Sequence, residues 1–175
     1  MPRTRCSVPL RRFRILVARA RAGPFSDLVR QLAGVMQTAT AFVAVFADES
    51  HRELRTLAFH FDDAPRENFS YRPEGAPCEH VLGRAFRYVP NGVPPQFPPR
   101  AIFATERMDS YAAFPLHDSS GALRGLLVAM DRQPIADAAL AEALLKIFAW
   151  RFVAEIDRSR SDEALRTAAL AVSGT

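Results

Sequence analysis

Cysteine is scarce in this chain. Two thiols among 175 residues, Cys6 and Cys78, cannot build a disulfide framework or a four-ligand zinc site. Long apolar runs are missing as well. Arg, Asp or Glu interrupts each apolar stretch well before the roughly 20 residues that a bilayer-spanning helix requires, so no membrane span is expected. Ile15–Ala18 is too short, and too closely flanked by arginine, to act as a secretory signal. A cytoplasmic protein with reduced cysteines is therefore the expectation. Lysine is nearly absent. Lys146 stands alone among 23 basic residues, a bias that reads as codon usage rather than as a surface selected for binding. Repeats and low-complexity tracts are lacking too. A composition of 49% hydrophobic and 24% charged residues excludes a collagen, a coiled-coil rod and a mostly disordered chain.

What is present is unevenly distributed. Residues 1–21 carry seven arginines and no acid, whereas residues 22–175 carry 16 basic and 19 acidic residues. The basic balance belongs to an N-terminal arm or helix (1–23), followed by a mildly acidic body. No aromatic stacking platform accompanies the arginines, so nucleic-acid binding is not expected.

Hydrophobic spacing places the elements. Pro24–Gln37 has Phe25, Leu28, Leu32, Val35 and Met36 at three- and four-residue intervals, which predicts an amphipathic helix with proline in its first turn. Thr40–Ala47 is apolar on both faces and reads as a central strand. Glu53–Phe61 follows as its hairpin partner, with Leu57, Phe59 and Phe61 expected on one face. Ser110–His117 and Ala122–Met130 form a second hairpin, turned at Gly121. Ile135–Ser159 is a last helix, with Leu140, Leu144, Phe148, Phe152 and Ile156 four residues apart. Residues 160–175 are expected to be a helical extension or a disordered tail.

The stretch between the hairpins is different. Nine of the 13 prolines fall between Pro65 and Pro115, so residues 62–109 cannot be continuous helix or sheet. Yet this stretch is rich in aromatic and aliphatic residues, and it should pack as an ordered cap rather than hang as a linker. Pro77–Leu82 can form one or two helical turns, and Ala85–Val89 a short strand. The order of elements predicts an α+β fold around an antiparallel sheet.

Specific residues then resemble a known family. The run Tyr71-Arg72-Pro73-Glu74-Gly75-Ala76-Pro77-Cys78-Glu79-His80-Val81-Leu82 is similar to a segment of bacterial GAF domains. Tyr88-Val89-Pro90-Asn91-Gly92-Val93, Phe97-Pro98, Ser110-Tyr111, Phe114-Pro115-Leu116, and Asp118 with Gly121 and Gly125 follow in that family's order. The chain departs from it at Ala113 and at Pro99-Arg100. The resemblance spans roughly residues 25–158. It implies a GAF-like domain at 24–159, with a six-stranded antiparallel sheet, the terminal helices on one face and the proline-rich cap on the other. It further implies a sensory or dimerisation module of signal transduction, working with a histidine kinase or cyclase partner. Too few residues follow Ser159 for a catalytic output domain, so the effector is expected elsewhere.

An aromatic sheet face under a stiff cap is also a plausible small-molecule site on physical grounds. Cys78, Val81, Tyr88, Phe97, Phe103 and Tyr111 are its candidate lining. No cofactor is assigned, and neither a metal-ligand cluster nor a catalytic constellation is read from the sequence. The alternative is that Cys78 makes the chain a redox sensor or reductase, although Glu79 opposes a thiolate and Cys6 is poorly placed as a resolving partner. A ligand-free dimerisation domain is a further alternative. Leu144, Phe148, Phe152 and Ile156 are the residues expected to pair the last helix with a second subunit.

Overall fold

The computed structural model describes residues 23–82, 86–93 and 106–173. The arginine-rich arm, Phe97 and Phe103 lie outside the described residues.

The first helix, α1 (Pro24–Met36), starts on proline, where a missing N–H costs nothing. It buries Leu28, Val29, Leu32 and Ala33, while Val35, expected on the same stripe, is 53% exposed. Strand β1 (Thr40–Phe46) is central in the sheet, flanked by β2 (Leu54–Phe61) and β7 (Leu123–Asp131). The remaining strands are β3 (Ala64–Arg66), β4 (Ser70–Tyr71), β5 (Arg87–Val89) and β6 (Ser110–His117). Between β4 and β5 lies the short helix α2 (Pro77–Val81), and the chain closes on α3 (Ala138–Ser173).

The sheet runs β3-β2-β1-β7-β6-β5, with β4 also paired to β2, and every pairing is antiparallel. This makes seven strands rather than the six implied by the resemblance. The extra strand arises at the start of the cap, where two very short segments, β3 and β4, share the outer edge of β2. Pro65 is tolerated in β3 because an edge strand has one side with no ladder bond to lose.

A register shift between Val43 and Ala44 leaves Leu57 as the bulged residue of β2. The bulge breaks the two-residue alternation, so Leu57 packs on the helix side while Phe59 and Phe61 pack on the cap side. The expected single face of Leu57, Phe59 and Phe61 is therefore split.

Two cores lie on opposite sides of the sheet. The helix side joins α1 and α3 to Ala41, Val43, Ala112, Leu116 and Leu127. The cap side gathers Phe42, Ala44, Leu54, Tyr111, Ala113, Leu126, Val128 and Met130 under Cys78, Val81 and Met108. Alternating strand geometry sends successive residues to the two cores. At the sheet centre Gly125 is obligatory, because a Cβ there would lie 2.0 Å from the Ala44 carbonyl oxygen. The β6–β7 turn is organised by Asp118. Its carboxylate accepts the backbone N–H groups of Ser120 and Ala122 and the Nε–H of Arg124 (2.6 Å). The hydrogen bond from the Ser120 hydroxyl, followed by that from the Arg124 guanidinium, holds this carboxyl far below the usual carboxylate range.

Candidate functional site

The most distinctive polar cluster lies within the cap-side core. Cys78 sits in α2, a single proline-started turn laid over the sheet, and is 4% exposed. The hydroxyl of Tyr111, from β6, donates to Cys78 Sγ at 3.2 Å, and the hydroxyl of Tyr71, from β4, donates to the same sulfur at 3.6 Å. Tyr111 is fully buried. Burial, reinforced by the neighbouring Cys78, pushes its phenol well above its ordinary value, so it remains a proton donor. Tyr71 is held by an aromatic group. Its ring lies 5.6 Å from Phe69 and 6.2 Å from Phe42, the latter edge to face.

Glu79, the residue after Cys78, has a different partner. Its carboxylate accepts the Gly75 N–H at 2.7 Å and closes the turn before α2. The structure thus uses Glu79 as a local brace for the helix that carries Cys78.

Of the residues expected to line a pocket, Cys78, Val81 and Tyr111 come together in the cap-side core. Tyr88 does not join them. In β5 it alternates with Val89, which faces the cap, so Tyr88 faces the helices, stacks beside Phe86, and donates its hydroxyl to the Ile135 carbonyl. Tyr71 and Met108 also pack in the cap-side core, and the β5–β6 register puts Arg87 on the same face; the sequence reading names none of the three as lining. Arg87 was legible in principle, being one residue from Tyr88 and hence on the other face. Among the described residues no group of three or more His, Cys, Asp or Glu side chains could hold a metal ion.

The helix side tells a different story from the one expected for pairing. Phe148, Phe152 and Ile156 are buried in the domain's own core, with Phe152 stacked on Phe25 at 6.4 Å, and Leu144 is half-buried. These are intramolecular contacts. The apolar residues that α3 does expose are Leu140 (54%), Ile147 (57%) and Trp150 (68%), and farther along Leu165 and Leu170. Beyond Ser159 the described side chains of α3 are all exposed to residue 170. No helix among the described residues is long and apolar enough to cross a membrane.

No protein-family model and no curated protein matches this chain. Solved structures do. The GAF domain of a phosphoenolpyruvate-protein phosphotransferase from Coxiella burnetii superposes with a TM-score of 0.64 at 18% identity, covering 82% of this chain and 89% of that one. A domain of a protein described as a two-component sensor histidine kinase, from Sinorhizobium meliloti, gives 0.57 at 16%, covering 80% and 93%. Free methionine-R-sulfoxide reductase from Neisseria meningitidis, solved with its substrate, gives 0.61 at 16%, covering 79% and 78%. The antiparallel sheet, the helices on one face and the Cys78-bearing cap on the other are those of a GAF fold, and this chain has that fold.

Proposed function

We propose that the chain is a non-catalytic sensory module of signal transduction, in which a small molecule bound on the cap side biases the packing of α3 in a homodimer. The division of labour across one sheet carries this reading. Polar groups that can orient a ligand collect on one face, and the helix that can report its presence lies on the other, so the β6 and β7 backbones are shared by both sides. Signalling would be a shift between two packings of α3, and the output would pass to a separate histidine kinase or cyclase partner. The GAF fold, found in a histidine-kinase domain and in a phosphotransferase, supports the sensory role.

The proposed dimer surface is the outward stripe of α3, Leu140, Ile147 and Trp150, rather than the buried Phe148, Phe152 and Ile156. Trp150 is the sole tryptophan and lies on that stripe, so its emission reports on dimer packing and not on the cap. The test is a thermal-shift screen across a broad metabolite panel, followed by Trp150 emission for each hit. A hit that stabilises the domain and changes the emission at a fixed dimer concentration supports the module. A blank screen favours a ligand-free dimerisation domain.

One observation favours a second reading, Cys-dependent redox chemistry: two phenol hydroxyls converge on the Cys78 sulfur. Its 4% exposure argues against ready access for an oxidant. On the sensory reading the parent chain and a Cys78→Ser variant are each expected to respond alike under reducing and oxidising conditions. Loss of those responses under oxidising conditions in the parent chain, but not in the variant, would establish the redox reading instead.

A further inference from the structure

Arg87 is the anomaly of the cap side. It pairs with Ala113 in the β5–β6 ladder, two residues along from the Val89–Tyr111 pair, and the alternation of β5 points it to the same face as Val89, Tyr111 and Ala113. The residue is half-buried, yet its Nε–H is fully enclosed and has no hydrogen-bond partner. No acidic side chain among the described residues forms an ion pair with it. An enclosed guanidinium donor without an acceptor is costly, and such groups are rarely left unsatisfied. The positive charge also acts on Tyr111, whose phenol it draws slightly downward against the larger effect of burial.

We propose that Arg87 receives the carboxylate of a small monocarboxylic acid bound against the cap face, and that this carboxylate is the signal-bearing group of the ligand. The inference rests on the cap-side ligand site proposed above and specifies its chemistry. A carboxylate matches the Nε–Nη edge of a guanidinium with two parallel hydrogen bonds. One guanidinium balances one negative charge, whereas a phosphate dianion would carry unbalanced charge towards the apolar cap-side core, whose Val89 and Val128 the strand register places on the same face as Arg87. Those same side chains favour an apolar body behind the carboxylate. Tyr111 sits diagonally across the ladder from Arg87, on the same face of the sheet.

The probes are three acid–amide pairs: acetate and acetamide, 3-methylbutanoate and 3-methylbutanamide, benzoate and benzamide. Each is titrated into the full chain, labelled with 15N and with 13C at methionine methyls. The Arg87 Nε–H resonance, assigned by its loss in Arg87→Gln, reads the anion contact. The Met108 methyl, assigned by Met108→Leu, reads occupancy of the cap side whatever the ligand charge. The expected result is saturable movement of both signals by at least one acid, with its amide weaker by about tenfold or more. Arg87→Gln should remove that preference, and Arg87→Lys, which keeps the charge but not the fork, should retain part of it. Equal binding of acid and amide, or a preference that survives in Arg87→Gln, would overturn the carboxylate inference and leave the cap-side site standing. If no member of either series moves the Met108 methyl, both the inference and the cap-side site fail.

Discussion

Phe152 and Trp150 lie two residues apart on α3 and should behave as opposites. Phe152 has no exposed surface and stacks on Phe25, with α1 and the sheet enclosing the rest of its ring. Truncating a fully buried phenylalanine to alanine loses its transfer free energy and leaves a cavity, together about 3–5 kcal/mol. Against a typical total of about 5–15 kcal/mol, Phe152→Ala should bring the domain close to unfolding at 37 °C. Trp150 is 68% exposed in the single chain, so Trp150→Ala should change the stability of the monomer by less than about 0.5 kcal/mol. If its indole anchors the dimer, the same change should weaken self-association by about 2 kcal/mol, roughly 30-fold. Urea unfolding at a concentration below dissociation measures the first quantity, and sedimentation equilibrium measures the second. A Phe152→Ala cost under about 1 kcal/mol would refute the placement of that ring in the core. Unchanged self-association in Trp150→Ala, or a chain that stays monomeric at every concentration, would refute the outward stripe as the pairing surface.

Other expectations concern stability and the cap. Gly125→Ala forces a methyl into the Ala44 carbonyl at the sheet centre, and should cost about 3 kcal/mol in urea unfolding, the upper end for overpacking, because the obstacle is backbone. Tyr111→Phe removes a hydroxyl from Cys78 Sγ while keeping the ring, and should cost about 0.5–1.5 kcal/mol, read as a fall of a few degrees in Tm. His60 is buried on the helix side, and burial holds its pKa below the ordinary 6.5. The unfolded chain therefore takes up this proton first. Stability is undiminished above about pH 6.5, declines as the pH falls through the lowered folded-state value, and His60→Leu should flatten that slope in unfolding curves taken at several pH values.

Regular elements with a strong period were legible. The stripe of α1, the doubly apolar β1 and the β6–β7 hairpin each show one local pattern that agrees with their place in the fold. The misplacements have geometric causes. A series spaced by four residues drifts about 40° around a helix at each step, so Leu140 and Ile156 cannot share a face although the spacing links them. The drift accounts for Leu140 being 54% exposed while Phe152 is buried, and for Ile147 and Trp150 facing outward as well. Tyr88 was misassigned because β5 is only three residues long, and its facing depends on ladder register with β6 rather than on any local pattern. Leu57 moved because a one-residue bulge is set by the partner strand. The polar cluster was half legible. Cys78 and Tyr111 were singled out, but the convergence of Tyr71 and the isolation of Arg87 come from strand pairings that sequence spacing does not encode.

Because α3 continues without a break from the residues that line the core to those exposed to solvent on every side, a tilt at the sheet would be carried along its outer portion as by a lever. About 17 residues follow Ile156, and at 1.5 Å each they reach roughly 25 Å. A tilt of about 10° at the sheet would swing the far tip by about 4 Å, and each residue inserted or deleted past Ile156 would rotate that tip by about 100° relative to the domain. Any output joined to this end is therefore sensitive to phase as well as to length. Seven-residue insertions would nearly restore its heading, and four-residue insertions would turn it aside.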